Sequence, residues 1–216
     1  MNTPSKTELE VIDLKNYELN DMQKDVMREV GNIGGGNAAT ALASILTDKV
    51  DMSLPFLRIV GVNEIAEVLG GPDMEAVGIL VNMTDDVKGM LMFILDKQFT
   101  HLLINVLLDK NIESFENINE MDMSALKEIG NILSGAYISA ISQLTELDIR
   151  LSPPQIAVDM VGAIISFPAA QYGAMGDKVL YIEENFLSAG NSIKSHLLIM
   201  PELESLEIIL KRLGVA

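Results

Sequence analysis

Two long segments of the chain place apolar residues at the spacing of an α-helix. In residues 21–47, the positions that fall on one face at about 100° per residue are Val26, Val30, Ile33 and Ala41. Residues 121–147 repeat the pattern with Ala125, Ile129, Ile132, Ala136 and Ala140. Asn20 directly precedes the first segment and suits an N-cap, because its side chain can accept hydrogen bonds from the first turn. The periodicity therefore predicts two long amphipathic helices.

The rest of the chain is divided into shorter segments with strand or helix patterns. The predicted strands are residues 50–60, 76–83, 88–95, 148–160, 179–184 and 193–200. The predicted shorter helices are residues 63–69, 98–108 and 203–213, and residues 161–175 are expected to be irregular or a short helix. Pro55, Pro153 and Pro154 fall within two of the strands. Because proline lacks a backbone donor, the segment with Pro55 should be an edge strand, a bulge or the start of a strand.

The same order of elements occurs twice: helix, strand, short helix, strand, strand, helix. Matching residues stand 99 positions apart over about 35 positions, and the pairs are Glu29/Glu128, Gly31/Gly130, Asn32/Asn131, Ile33/Ile132, Gly36/Gly135, Ala41/Ala140 and Pro55/Pro154. We expect one domain over residues 1–216, with a loose leader at 1–16, a first repeat at 17–110 and a second at 120–216. The fold class is α+β: two tandem repeats with pseudo-two-fold symmetry share one mixed or antiparallel sheet with helices outside.

Three consecutive glycines, Gly34, Gly35 and Gly36, stand in the middle of the first long helix. Each glycine costs about 1 kcal/mol relative to alanine in a helix interior. One interpretation is a break between two shorter helices. The other is a continuous helix whose surface is bare, so that a second backbone can approach closely. The pattern of residues leaves both open.

Composition argues against several classes of function. The net charge of −16 disfavours nucleic acid and anionic membrane as partners, because both need clustered Lys and Arg. No apolar run reaches the roughly 18 residues of a membrane span, and the first residues lack the apolar segment of a secretory signal. The chain has no cysteine and only two isolated histidines, His101 and His196, so metal sites and catalytic triads are poorly supported. We expect a cytoplasmic protein without membrane insertion.

A polar stripe on each long helix is the strongest candidate for chemistry. Asp25, Glu29 and Asn32 lie at i, i+4 and i+7, within an arc of roughly 60° beside the apolar face. The second repeat carries the same stripe as Ser124, Glu128 and Asn131. An asparagine is neither an acid nor a nucleophile, but its amide offers one acceptor and two donors in fixed geometry. The stripe is therefore suited to orienting a water molecule or a carbonyl group.

The stripe and the following proline form the pattern Asp/Ser-x3-Glu-x2-Asn-x22-Pro. The copies are Asp25, Glu29, Asn32 and Pro55, then Ser124, Glu128, Asn131 and Pro154. This tandem pattern resembles the signature of the CheC/CheX/FliY family of chemotaxis phosphatases, and the likeness extends from about residue 17 to 214. Within that family the chain is most similar to the members that carry two copies of the motif and no flagellar-switch domain.

The resemblance implies a function and a set of site residues. The substrate would be a phosphorylated CheY-type receiver domain, and Asn32 or Asn131 would hold the water that attacks its aspartyl phosphate. Glu29 or Glu128 would pair with the receiver's active-site lysine. The supporting motif positions would be Asp25, Pro55, Ser124 and Pro154. The protein would need no metal or cofactor of its own, since the receiver supplies Mg²⁺.

The family resemblance also implies a second partner, the receptor deamidase CheD. The alternative to a phosphatase is therefore a non-catalytic module that binds CheD or the flagellar switch. The two interpretations differ in one expectation: only the phosphatase requires the polar stripes for decay of the receiver's aspartyl phosphate.

Overall fold

The structure is a computed structural model that describes residues 19–46, 49–53, 55–172, 178–188 and 191–216. The predicted leader, residues 1–16, lies outside the described residues. The helices are α1 (Asp21–Leu46), α2 (Ile65–Val68), α3 (Lys97–Leu108), α4 (Glu120–Thr145), α5 (Val161–Tyr172) and α6 (Leu203–Arg212). The strands are β1 (Val50–Met52), β2 (Phe56–Gly61), β3 (Glu75–Asp85), β4 (Gly89–Leu95), β5 (Ile149–Leu151), β6 (Gln155–Met160), β7 (Lys178–Ser188) and β8 (Asn191–Pro201). Short 3₁₀ turns cover Val62–Glu64 and Phe115–Asn117.

The described strands form one sheet in which every pairing is antiparallel. Its order is β1-β7-β8-β4-β3-β5, with β2 also paired to β7 and β6 also paired to β3. Strands β1 to β4 of the first repeat are equivalent to β5 to β8 of the second, in that order. The strand order is therefore symmetric about the central β4–β8 pair. The edge strands are exchanged, since β1 and β2 pair with a strand of the second repeat while β5 and β6 pair with a strand of the first. The predicted α+β fold with pseudo-two-fold symmetry is confirmed, in its antiparallel form.

Helices cover both faces of this sheet, and each face has its own core. The larger core lies under α1, α3, α4 and α6, and its largest fully buried side chains include Tyr137, Phe93, Phe99 and Phe186. The smaller core lies under α2 and α5 around Ile65, Ile164 and Tyr181. In the described part of the chain, no helix combines the length and the apolar character needed to cross a membrane.

The triple glycine lies inside a continuous helix where α1 packs against α4. A Cβ on Gly34 would lie 2.5 Å from Cδ1 of the Tyr137 ring, and one on Gly35 would meet Met52 and the carboxylate of Glu184. A Cβ on Gly36 would meet nothing within 4 Å. The interpretation of a continuous helix with a bare surface is therefore correct for the first two glycines, but side chains and not a second backbone approach them, and the third glycine is exposed.

The predicted apolar faces of the two long helices are each displaced by about one residue. On α1, Val26, Ile33 and Ala41 are only half-buried, and the buried line is Met27, Val30, Gly34, Ala38 and Leu42. On α4, Ala125, Ile132 and Ala136 are half-buried, and the buried line includes Leu126, Ile129, Leu133, Tyr137 and Ile141. Each helix has the sheet beneath it and the other helix beside it. On α1 part of that second contact is made by Gly34 against the Tyr137 ring of α4, and a glycine carries no hydrophobic signal.

Two predicted strands also differ from the structure. Residues 50–60 and 148–160 are each two short strands, because the chain cannot continue the sheet ladder through Pro55 or Pro154. The short-helix alternative for residues 161–175 is confirmed by the twelve-residue α5, and residues 173–175 of that segment lie outside the described part. The segment between the two repeats contains a 3₁₀ turn, Phe115–Asn117, in which Phe115 is buried.

Candidate functional site

Both motif helices begin with the same kind of cap. Asn20 Oδ1 accepts the backbone N–H of Gln23 at 2.9 Å, and Gln23 Oε1 accepts the N–H of Asn20 at 2.9 Å. In the second repeat, Asn119 Oδ1 accepts the N–H of Asp122 at 3.2 Å, and Asp122 Oδ2 accepts the N–H of Asn119 at 2.9 Å. These reciprocal caps satisfy first-turn donors. They fix the starts of the two helices 99 residues apart, so that equivalent residues occupy the same position in each helix.

The first stripe faces solvent and is closed by local hydrogen bonds. Asp25 and Glu29 are exposed, and Asn32 is half-buried. Arg28 Nη1 donates to Asp25 Oδ1 at 2.5 Å, and Asn32 Nδ2 donates to Glu29 Oε2 at 3.3 Å. Within the described residues, Oδ1 of Asn32 accepts no side-chain hydrogen bond. The carbonyl end of this amide is therefore available to an incoming group.

The second stripe is more open. Ser124, Glu128 and Asn131 are all exposed. Across the described ranges, no side-chain hydrogen bond or ion pair joins these three residues to one another. Lys127 occupies the place of Arg28, and it pairs with no carboxylate in the described part of the chain. Neither end of the Asn131 amide forms a side-chain hydrogen bond to any residue that the structure describes.

A glycine in each motif faces the motif proline. A Cβ on Gly31 would lie 3.6 Å from both Pro55 Cγ and Ile182 Cδ1. A Cβ on Gly130 would lie 3.4 Å from Pro154 Cβ and 2.5 Å from Ile79 Cγ2. These contacts correspond in the two repeats, and they place Pro55 and Pro154 beneath the stripes. The signal in the sequence for this contact is that both glycines match at the 99-residue offset of the repeats.

The structure assembles each motif separately. The two helices meet after the stripes, where Gly34 faces Tyr137 and Asn37 Nδ2 donates to the Ala136 carbonyl at 3.4 Å. Each stripe thus lies on its own helix, on the N-terminal side of that contact. Asn32 and Asn131 are not buried among core residues, and a partner can reach both.

The family comparison matches both motif segments. The model of the CheC-like family matches residues 22–58 and 121–158, so each match contains one stripe and its proline. The CheY-P phosphatase CheC of Bacillus subtilis (strain 168) is 32% identical over 202 residues, which is 92% of this chain and 97% of that protein. The chain belongs to the CheC-like family. The resemblance expected from the tandem motif is therefore confirmed.

Solved structures of related proteins share the fold of this CheC-like chain. FliY of Thermotoga maritima aligns with a TM-score of 0.74 at 22% identity, covering 92% of this chain and 98% of that one. A CheX–CheY–BeF3–Mg²⁺ complex from Borrelia burgdorferi aligns with a TM-score of 0.52 at 14% identity, covering 80% of this chain and 97% of that one. At these identities the comparison supports the architecture alone.

The chemistry that the stripes can perform is limited by their shape and composition. Each presents an amide and a carboxylate on the outer surface of a helix, with no cysteine in the chain to act as a nucleophile. The described residues hold no group of three His, Asp or Glu side chains that could bind a metal ion. A convex surface of this kind does not enclose a small substrate. It can instead be inserted into the active site of a partner that supplies the remaining groups.

Proposed function

We propose that this protein hydrolyses the aspartyl phosphate of a CheY-type receiver domain, and that each stripe is one active site. The proposal rests on family membership and on one structural observation. Both copies of the Glu-x2-Asn pair face solvent on helices that are anchored by equivalent glycine–proline contacts. A site that serves a protein partner must be both exposed and rigidly based, and these two stripes meet that requirement.

In this mechanism, the asparagine positions the attacking water. Oδ1 of Asn32 or Asn131 accepts a hydrogen bond from a water molecule and holds it in line with the phosphorus atom. The water oxygen forms a bond to phosphorus while the bond to the aspartyl oxygen breaks, which releases inorganic phosphate and the free carboxylate. Positioning of this kind can contribute up to about 7–11 kcal/mol in favourable cases. The Mg²⁺ that neutralises the phosphoryl oxygens belongs to the receiver substrate.

The glutamate of each stripe fixes the docked arrangement. Glu29 or Glu128 pairs with the lysine of the receiver's active site, which withdraws that lysine from the phosphoryl group. In the free protein Glu29 accepts a hydrogen bond from Asn32 at 3.3 Å. Docking would therefore exchange this exposed internal bond for an ion pair with the partner, and it would release Nδ2 of Asn32, whose Oδ1 holds the water.

The decisive experiment is decay of the aspartyl phosphate on a purified receiver in the presence of this protein. Asn32→Ala and Asn131→Ala should each lower the rate in part, and the double variant should return it to the receiver's own rate. Asn37→Ala is the matched control, because Asn37 is an exposed asparagine on α1 that lies beyond the stripe. It should keep the full rate.

The same experiment separates the phosphatase from the non-catalytic alternative. A module that only binds CheD or the flagellar switch predicts unchanged receiver decay in the double asparagine variant. It also predicts that the variant loses binding of CheD or the flagellar switch only if the stripes form the binding surface for that partner. Full activity of the Asn32→Ala, Asn131→Ala protein would refute the proposed mechanism, whereas co-elution with CheD unaffected by these changes would indicate a separate CheD surface.

A further inference from the structure

Each motif helix exposes a methionine at the same position of its first turn. Met22 is 65% exposed and Met121 is 63% exposed, and the two residues are 99 positions apart. Neither residue contributes to the described cores, although most large apolar side chains do. An unpaired surface methionine in one repeat would need no explanation. Its recurrence at an equivalent and equally exposed position indicates a shared use.

The methionine continues the stripe on each helix. Met22 precedes Asp25 by three residues, Glu29 by seven and Asn32 by ten. At about 100° per residue these four side chains lie within an arc of roughly 80°, and the methionine and the glutamate are only about 20° apart. At 1.5 Å per residue, the methionine lies about 15 Å from the asparagine along the helix. The second repeat has the same spacing.

We propose that Met22 and Met121 are the apolar docking contacts through which each stripe recognises a phosphorylated receiver domain. This inference rests on the proposed function of the stripes. While the asparagine amide lies at the phosphoryl group, the methionine covers an apolar area of the receiver about 15 Å away. Methionine suits this role because its unbranched thioether side chain adapts to irregular surfaces.

The distance along the helix determines the class of substrate. A small acyl phosphate placed at Asn32 or Asn131 cannot also contact a side chain about 15 Å away. Only a folded partner can engage both ends of the stripe. The chain carries a net charge of −16, so attraction to an acidic receiver at long range is weak at physiological salt. A local apolar contact provides affinity that salt does not screen.

The test measures binding apart from hydrolysis. We would titrate Met22→Ala, Met121→Ala protein with a receiver activated by beryllofluoride and Mg²⁺, and separately determine kcat and KM for receiver dephosphorylation. The dissociation constant and KM should both rise about tenfold, which corresponds to about 1.4 kcal/mol, and kcat should stay within about twofold. Met22→Leu, Met121→Leu should retain wild-type affinity. Met160→Ala is the matched control, because Met160 is 50% exposed on β6 and lies outside both helices.

The outcomes distinguish this inference from the proposed function. If the wild-type protein binds the activated receiver but does not hydrolyse its phosphate, the proposed function fails, and a tenfold loss of binding in the methionine variant still supports the contact. Unchanged affinity and KM in that variant would overturn the inference while leaving the phosphatase intact. A change of oligomeric state on size-exclusion chromatography without a change in KM would also overturn it, since the methionines would then contact a second copy of this chain.

Discussion

The two repeats are most alike where each motif helix meets the sheet and least alike in what surrounds the stripe. Both have a reciprocal cap, a glycine facing the motif proline and a solvent-facing Glu–Asn pair, in which Asn32 alone is half-buried. In the first stripe Arg28 pairs with Asp25, and Lys24 pairs with Asp21 at 3.6 Å. In the second stripe the equivalent positions are Lys127, Ser124, Met123 and Glu120. The difference indicates that the contacts that hold each motif helix recur in both repeats, whereas the charged residues around the stripe differ.

The interiors of the two repeats differ as well. Phe56 pairs with Glu183, and its equivalent Gln155 pairs with Leu80, so Glu183 and Leu80 occupy equivalent positions. The next residues along these strands, Glu184 and Val81, are therefore also equivalent. Tyr137 corresponds to Ala38, and its hydroxyl donates to the buried carboxylate of Glu184. Gly34, which corresponds to Leu133, makes room for the tyrosine ring. The second repeat therefore contributes the buried pair of Tyr137 and Glu184. The first repeat makes room for it with a glycine, Gly34, where the second repeat has a leucine.

The largest effect should come from filling that space. Gly34→Ala would place a methyl group 2.5 Å from the Tyr137 ring, which cannot move without disturbing its bond to Glu184. Forced overpacking of this kind costs about 1–3 kcal/mol or more. Chemical denaturation should show a loss of unfolding free energy of at least that size.

Gly36→Ala is the matched control for this substitution. A Cβ at Gly36 meets nothing within 4 Å, and alanine is favoured over glycine in a helix by about 1 kcal/mol. This variant should be as stable as the wild type or more stable. If Gly34→Ala and Gly36→Ala were equally stable, the contact between α1 and α4 would not depend on a bare surface.

An effect of similar size, but dependent on pH, should follow from removing the buried charge. Burial raises the pKa of Glu184 from 4.5 to about 7, against the opposing effect of the hydrogen bond from Tyr137. Because the folded-state pKa is the higher one, stability from this group is complete below about pH 4.5 and declines as the pH rises towards 7. The total decline corresponds to about 3 kcal/mol. Glu184→Gln should keep an acceptor for Tyr137 and abolish that decline.

The measurement is the unfolding free energy at several pH values between 4 and 8. The advantage of Glu184→Gln over the wild type should grow through this range and level off near pH 8. Glu67→Gln removes a charge from the surface of α2 and is the charge-matched control. A constant difference between Glu184→Gln and the wild type at all pH values would show that Glu184 does not titrate between the folded and unfolded states.

The comparison of the repeats also shows how far the sequence could be interpreted. The 99-residue offset was enough to predict both stripes, the prolines and the symmetric order of elements, because those features depend on local residue types. The exchange of edge strands could not be predicted, since the pairing of Phe56 with Glu183 is decided by strands far apart in the chain. The Tyr137–Glu184 pair was missed for a similar reason, because a tyrosine and a glutamate 47 residues apart carry no periodic signal.

The smallest effect should distinguish the two active sites from each other. Under the proposed exchange, docking at the first stripe gives up the exposed hydrogen bond between Asn32 and Glu29, whereas Asn131 has no such bond within the described residues. An exposed bond of this kind is worth about 0.5–1 kcal/mol, which makes the second site about two to five times more active. Asn131→Ala should therefore leave about one-sixth to one-third of the receiver dephosphorylation rate, and Asn32→Ala about two-thirds or more. The rates should be measured with the receiver well below KM, so that each site contributes in proportion to its kcat/KM. Equal residual rates in the two single variants would mean that the lack of a Glu–Asn hydrogen bond in the second stripe confers no advantage.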